Sequence, residues 1–463
     1  MKKKTIALTA SAAALIVALV AWWLWPTRYD AIVPAEAKAV LRIDGTRMKD
    51  ASQGAEQLKN LLGIVPDGLD LSRPAYAFIT PNEYVGIVLA MADGDAFNGT
   101  VGRLVQQKKT MRLDDSDGLH WTWMNDGWLM AWDGRMLVAL GPGVAQERDN
   151  LRQTIARMKR ADHRFIDTDA YTHLTAQNGS LQLYATLDAV PAPYNALFRL
   201  TVPADCPQEA VQLFASADWP TGSNALTMNY TLESDNAEVR AAIDAYEKGK
   251  SGIGFNRMQQ TPLFCMCTSM KGQDLLALIH SDATMRGLLM GLNSVADADR
   301  MLGTVDGLLE LRIDSLGADW TPAFCLTAEN ATKGLTADSD YWLECAAKQR
   351  DVTLRRLTPD TYLLANGKQT LTFGVCTPKG GRQRVFFASP SMAALAAAPS
   401  GFTKATPTVD GPLAYFCIDM ALLRRQPCMK NGAVKALVER LMPASHSLVY
   451  RAFAGRKGTL VMH

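Results

Sequence analysis

The chain runs through the same succession of landmarks twice, and a duplicated succession constrains a fold more tightly than composition does. Asp126-Gly127-Trp128-Leu129-Met130-Ala131-Trp132-Asp133-Gly134-Arg135 matches Asp360-Thr361-Tyr362-Leu363-Leu364-Ala365-Asn366-Gly367-Lys368 in chemistry, with one gap at Trp132. Asp-Gly and Asn-Gly between apolar runs mark hairpins, because type I′ turns need positive φ. Both runs continue as strands to a glycine, Gly141 and Gly374. The strand pattern at 40–44 precedes a helical one with Ala51, Ala55, Leu58 and Leu62 on one face and Gly63 beyond it. Its counterpart at 263–267 precedes Leu275, Leu278, Ile279, Leu288 and Leu289. Paired strands expected at 75–79 and 85–91 match 308–313 and 323–327, and the strand at 181–188 matches 413–419. Each half closes on two strands, 211–217 with 225–232 and 447–454 with 458–462.

These landmarks predict an α+β fold of two tandem repeats, 27–245 and 258–463, with a glycine-containing linker at 246–257. Strands arriving in adjacent pairs, with helices as separate insertions, predict mostly antiparallel or mixed sheets with helices on one face.

Residues 1–26 read differently. Three lysines, Lys2 to Lys4, precede a stretch from Thr5 to Trp25 without a charge. At about 1.5 Å per residue its 21 residues span roughly 31 Å, close to the hydrocarbon thickness of a bilayer. Trp22, Trp23 and Trp25 stand where indoles favour the headgroup level, and Pro26 stops the helix. The lysine asymmetry predicts a single-pass signal anchor in the inner membrane, N-terminus cytoplasmic and the remainder periplasmic. The Ala-x-Ala pairs, Ala10 with Ala12 and Ala35 with Ala37, sit too early and too late for ordinary cleavage. No second apolar run is long enough to span a bilayer.

With 48% apolar and 20% charged residues the chain can bury real cores, and a net charge of +2 argues against nucleic acid as a partner. Seven of the eight cysteines fall in the second half, most inside apolar runs such as Leu263-Phe264-Cys265-Met266-Cys267. There cysteine behaves as a small buried hydrophobe, and most are expected to be free thiols. Cys265 and Cys267 share a face of a strand too extended for an easy bridge between them.

This plan resembles a group of uncharacterised envelope proteins from the Bacteroides and Prevotella group, filed as a domain of unknown function. The residues that carry the resemblance are Val33-Pro34-Ala35-Glu36-Ala37-Lys38-Ala39-Val40-Leu41-Arg42-Ile43-Asp44 and Val305-Asp306-Gly307-Leu308-Leu309-Glu310-Leu311. The resemblance implies an anchored envelope protein and brings no activity, cofactor or catalytic residue with it.

Catalytic and cofactor motifs do not appear: no phosphate-binding loop, no Gly-x-Ser-x-Gly, no His-Glu-x-x-His. The six histidines lack ligand spacing, so no metal or cofactor is expected. Asp114-Asp115-Ser116-Asp117-Gly118 resembles part of a calcium loop without the closing glutamate, and reads as a polar turn. Trp121, Trp123, Trp128 and Trp132 lie within twelve residues. Trp121 and Trp123 share one face of a hairpin, as do Trp128 and Trp132, and an exposed set offers a binding face for a sugar or peptide; packed inward, it is core. The basic segment 401–463 carries nine Lys or Arg against three acidic residues and reads as a solvated face.

The sequence therefore predicts a membrane-tethered, non-catalytic binding or assembly module, its partners an envelope protein or cell-wall polymer. The alternative is an envelope or cell-wall hydrolase whose site is dispersed along the chain.

Overall fold

The computed structural model describes residues 28–47, 67–191, 195, 197–218, 225–255, 262–281, 286–287, 289–290, 293, 297–319, 321–330, 339–367, 369–376, 385–390, 402–404, 411–430 and 446–463. They fall into two compact units, divided between Ala176 and Gln177.

Among the described residues the first unit holds a seven-stranded sheet and three α-helices. Its elements are β1 (Ala39–Ile43), β2 (Ala75–Ile79), β3 (Val85–Ala90), α1 (Gly94–Gln106), β4 (Thr110–Arg112), β5 (His120–Met124), β6 (Leu129–Trp132), β7 (Met136–Gly141), α2 (Arg148–Arg160) and α3 (Asp169–Ala176). The strands pair antiparallel in the order β1-β2-β3-β7-β6-β5-β4. Local chemistry fixes the ends. The Asp93 carboxylate caps α1 by accepting the amides of Asp95 and Ala96 at 2.9 and 3.1 Å. The Asp133 carboxylate accepts the amides of Arg135 and Met136 at 2.8 and 3.0 Å, turning β6 into β7.

The second unit holds β8 (Leu181–Thr186), β9 (Gln212–Asp218), β10 (Leu226–Glu233), α4 (Ala237–Lys248), β11 (Ile253–Phe255), β12 (Phe264–Lys271), α5 (Gly272–Ser281), α6 (Ala298–Gly303), β13 (Val305–Leu316), β14 (Pro322–Asn330), α7 (Ser339–Ala347), β15 (Val352–Thr358), β16 (Thr361–Asn366), β17 (Gln369–Cys376), β18 (Val385–Ser389), β19 (Phe402–Lys404), β20 (Ala414–Asp419), α8 (Met420–Arg424), β21 (Ser447–Phe453) and β22 (Lys457–Met462). Thirteen of these strands form one antiparallel sheet, β8-β9-β10-β22-β21-β20-β12-β13-β14-β18-β17-β16-β15. β11 and β19 make a separate ribbon. The core gathers aromatic rings on one face. Tyr230 and Tyr450 stack at 5.9 Å, Phe198 meets both edge-on, and Trp342 packs on Tyr362 and Phe373.

The expected α+β class is corrected. Every strand pairing described within each unit is antiparallel, and sheet dominates both units. Helices cover both faces of the first unit's sheet, not one. Registers His120↔Trp132 and Trp121↔Ala131 put Trp121 and Trp132 on opposite faces. α1 covers the Trp132 face through Phe97, and α2 covers the Trp121 face through Arg152. The physical reason is that this hairpin is apolar at both parities, so each face needs its own cover. Nor does each copy keep a sheet to itself, since β10 pairs with β22 over six residues.

The order of pairing recurs where the individual turns do not. β1-β2-β3-β7-β6-β5-β4 has the counterpart β12-β13-β14-β18-β17-β16-β15, and β8-β9-β10 the counterpart β20-β21-β22. In that order Asp133-Gly134 joins the third and fourth strands of β4–β7. Asn366-Gly367 joins the second and third of β15–β18, so the two hairpins do not hold equivalent places. Of the two glycines Gly367 alone takes positive φ, just beyond the closing pair Asn366↔Gln369.

The membrane placement is corrected as well. Among the described residues no helix is long and apolar enough to cross a membrane. The stretch from Thr5 to Trp25, with Trp22, Trp23 and Trp25, lies outside the described residues, as does the helical pattern at Ala51 to Leu62. The described residues therefore give no support to a single-pass inner-membrane topology.

Candidate functional site

The tryptophan hairpin does not present its indoles together. Trp121 and Trp132 are 0% and 1% exposed, and Trp123 and Trp128 are half-buried. The Trp132 indole N–H donates to Asn98 Oδ1 at 3.0 Å, and its ring meets Phe97 edge-on at 5.3 Å. The Trp121 indole N–H donates to the Ser116 carbonyl at 3.1 Å beneath the Arg152 guanidinium, 4.9 Å from the ring centroid. Trp123 shares Trp121's face and Trp128 shares Trp132's, so the two half-exposed rings point away from each other.

The acidic loop at 114–118 is filled from within the chain. Arg152 donates to the Asp114 carbonyl at 2.6 Å and to Ser116 Oγ at 2.7 Å. Lys159 donates to the Asp117 carbonyl at 3.0 Å, and Arg160 bonds the Asp117 carboxylate. His120 Nδ1 lies 2.9 Å from Asp115 Oδ2. Three basic side chains of α2 thus take the Asp114 and Asp117 carbonyls, Ser116 Oγ and the Asp117 carboxylate. The i, i+7 and i+8 spacing of Arg152, Lys159 and Arg160 on one helix face was legible; its target was not.

Two further polar clusters are closed in the same way. In the first unit the Asp30 carboxylate is buried and accepts from Arg28 at 2.7 Å, Tyr76 at 3.1 Å and Tyr171 at 3.4 Å. Burial, and next the Asp30 charge, push the Tyr76 phenol well above its ordinary range. In the second unit the buried Glu247 carboxylate accepts the amides of Gly455 at 2.8 Å and Arg456 at 3.0 Å. Lys250 donates to the Ser269 carbonyl at 2.6 Å and lies 4.3 Å from the Tyr246 ring centroid. Burial pulls the Lys250 amine down to about 8 against the charges of Asp274 and Glu247. Among the described residues no group of three or more His, Cys, Asp or Glu could hold a metal ion.

At the margin of the second unit's core, against which Phe324 packs, lies an apolar feature. Cross-strand registers align Met462, Leu448, Ile418, Phe264, Ile313 and Phe324 in one row over β22, β21, β20, β12, β13 and β14. All six are half-buried, and none is charged. At about 4.8 Å per strand the row is roughly 24 Å long. Single-sequence reasoning missed it because its members come from six separate strands, and only register brings them into line.

Fold and clusters together define a protein of antiparallel sheets in which the Asp30 and Glu247 carboxylates and the loop at 114–118 are engaged by side chains or amides of the same chain. The sequence pattern of the family described as Domain of unknown function (DUF4836) matches residues 46–341, and the chain belongs to that family. No curated protein matches it. Among solved structures, crystal forms IV, III and I of TP0453 align at 11% identity with TM-scores of 0.29, 0.30 and 0.28. They cover 46%, 50% and 50% of this chain and 83%, 90% and 89% of their own. Likeness at that level carries no argument about fold or function.

Proposed function

We propose that this chain is a non-catalytic binding or assembly module of the cell envelope, and that it recognises a partner protein through apolar contact. The observation that supports the reading is the half-exposed apolar row on the second unit's sheet, set against polar clusters that are already closed. A flat row without charge suits the apolar surface of a protein partner better than a small molecule, which needs an enclosing cavity. A sugar polymer would need hydrogen-bonding groups that the row lacks. The envelope part of the reading rests on the resemblance carried by residues 33–44 and 305–311.

The test places a photo-crosslinking side chain at Leu448, in the row, and separately at Arg355, on the exposed part of β15. A single discrete protein adduct is expected from position 448 in cells, none from 355, and none from 448 when Ile418→Asp is added. Equal labelling from both positions would remove the row from the reading. Turnover of purified cell-wall polymer by the purified chain would overturn the non-catalytic part.

A further inference from the structure

Cys265 and Cys417 are both thiols outside any disulfide, and they stand directly opposed across two strands. Cys265 on β12 is the register partner of Cys417 on β20. Backbone bonds on either side run from Asp419 N to the Leu263 carbonyl at 2.9 Å and from Ser269 N to the Leu413 carbonyl at 3.5 Å. Residues 263, 265, 267 and 269 have one parity, so 265 and 417 are also a hydrogen-bonded pair. Such pairs hold their Cα atoms about 5.5 Å apart, inside the range disulfides use. Both side chains point to one face and share a small buried cluster with Ile253 and Cys267. Cys267 shares the cluster but is the register partner of neither thiol. Cys267 faces Tyr415 on one side and Glu310 on the other, and Arg312 stands between Cys265 and Cys325.

We propose that Cys265 and Cys417 are a latent redox pair, which a disulfide oxidant converts to a cross-strand disulfide locking β12 to β20. Cys417 is 9% exposed and Cys265 0%, so the oxidant meets Cys417 first. The Cys417 thiolate attacks one sulfur of the oxidant disulfide and releases one thiolate, leaving a mixed disulfide. The Cys265 thiolate then attacks Cys417 Sγ and expels the second thiolate. Two thiols are oxidised, one external disulfide is reduced to two thiols, and the protons balance between the two sides. At Cβ a hydrogen-bonded pair stands about 5.5 Å apart, beyond the roughly 3.5–4.5 Å that a disulfide takes, so the bond forms only as β12 and β20 draw together locally, under strain, and is readily reduced. Burial raises both thiols, which makes the exchange slow at neutral pH and faster as pH rises. The β12–β20 pairing is where the run from β12 to β15 meets the run from β20 to β22, so the bond would fasten a joint of the sheet and close a loop over 151 intervening residues.

Full-length protein, incubated natively with oxidised glutathione at pH 8.5, alkylated, digested and read by mass spectrometry, tests this. The expected result is a linked peptide pair containing Cys265 and Cys417, the loss of two titratable thiols, a raised thermal midpoint and full reversal by reduced glutathione. Cys417→Ser should abolish the linked pair and Cys267→Ser should leave it intact. Recovery of Cys265 and Cys417 as separately alkylated peptides, or a link from Cys265 to Cys267, would overturn the proposal. Formation of the 265–417 link only after unfolding in guanidinium would overturn it equally.

Discussion

Glu247 offers the sharpest test of the packing described above. It sits in the last turn of α4, and its carboxylate faces the turn between β21 and β22. Gly455 and Arg456 take φ of +82° and +58° there, which turns successive amides toward one point. Both donate to Glu247, at 2.8 and 3.0 Å, and the Arg456 guanidinium meets Asp244 at 2.9 Å. Glu247→Ala removes a charged acceptor from two part-buried amides that water can partly serve, so a loss of about 1–2 kcal/mol is expected. Glu247→Gln keeps an acceptor oxygen and removes a charge that burial disfavours, so its cost is expected to stay within about 1 kcal/mol. Burial raises the carboxyl above its ordinary 4.5, while the two amide bonds pull it back. With the folded value raised, the associated stability is present below pH 4.5 and is lost as pH rises through the folded value. Wild type should therefore gain stability on mild acidification relative to Glu247→Gln. Guanidinium unfolding at unchanged m, with hydrogen exchange at Gly455 and Arg456, measures both effects. Equal destabilisation by Ala and Gln would refute the reasoning, because it would make the charge, not the acceptor, the stabilising element.

Lys250→Met should remove a pH dependence. Wild type binds fewer protons folded than unfolded between pH 8 and 10.5, so its stability should rise over that window by about 1–3 kcal/mol relative to the variant, read from paired denaturation curves. Gly458→Ala should destabilise by about 3 kcal/mol, since its Cβ would lie 2.4 Å from the Arg451 carbonyl and 2.4 Å from Tyr230. Adding Tyr230→Ala should not restore it, because the backbone contact remains; restoration in thermal unfolding would locate the clash in the ring alone.

Much of the strand inventory was legible in the sequence. The patterns at 40–44, 75–79, 85–91, 211–217, 225–232, 447–454 and 458–462 each overlap an observed strand, because alternation at period two is a local property. What alternation cannot report is which edge a strand joins, and the expected pair of separate sheets failed there. Local matching of Asp133-Gly134 with Asn366-Gly367 was misleading for a related reason. A polar residue before glycine suits several turn geometries, so similar chemistry does not fix a strand's place in the order. Glycine also misled at Ser251-Gly252-Ile253-Gly254, which read as linker. Ile253 is 1% exposed, and its amide donates to the Pro412 carbonyl at 2.8 Å. A Cβ on Gly411 would come within 2.7 Å of the Ile253 carbonyl, so a glycine here serves close packing. For the candidate site, the acidic loop and the tryptophans were visible as residue types. The helix that fills the loop and the register that separates the rings are long-range facts.

The junction of β10 with β22 explains why the chain does not divide near 246–257. Each three-stranded group, β8–β10 and β20–β22, ends on a strand that would otherwise expose a full ladder of backbone donors and acceptors. Antiparallel pairing of Leu226 to Thr231 with Met462 to Lys457 satisfies both at once. The core reinforces the same seam. The Tyr230 and Tyr450 hydroxyls lie 2.6 Å apart, and Tyr450 donates to the Leu197 carbonyl at 2.9 Å. Burial raises both phenols, so the pair stays neutral through the physiological range and needs no counter-charge. Separating the sheet between residues 245 and 258 would uncover two strand edges and a stacked tyrosine pair together. The two three-stranded groups β8–β10 and β20–β22 thus recur in order and yet share one sheet, since the strand that completes each is the edge of the other.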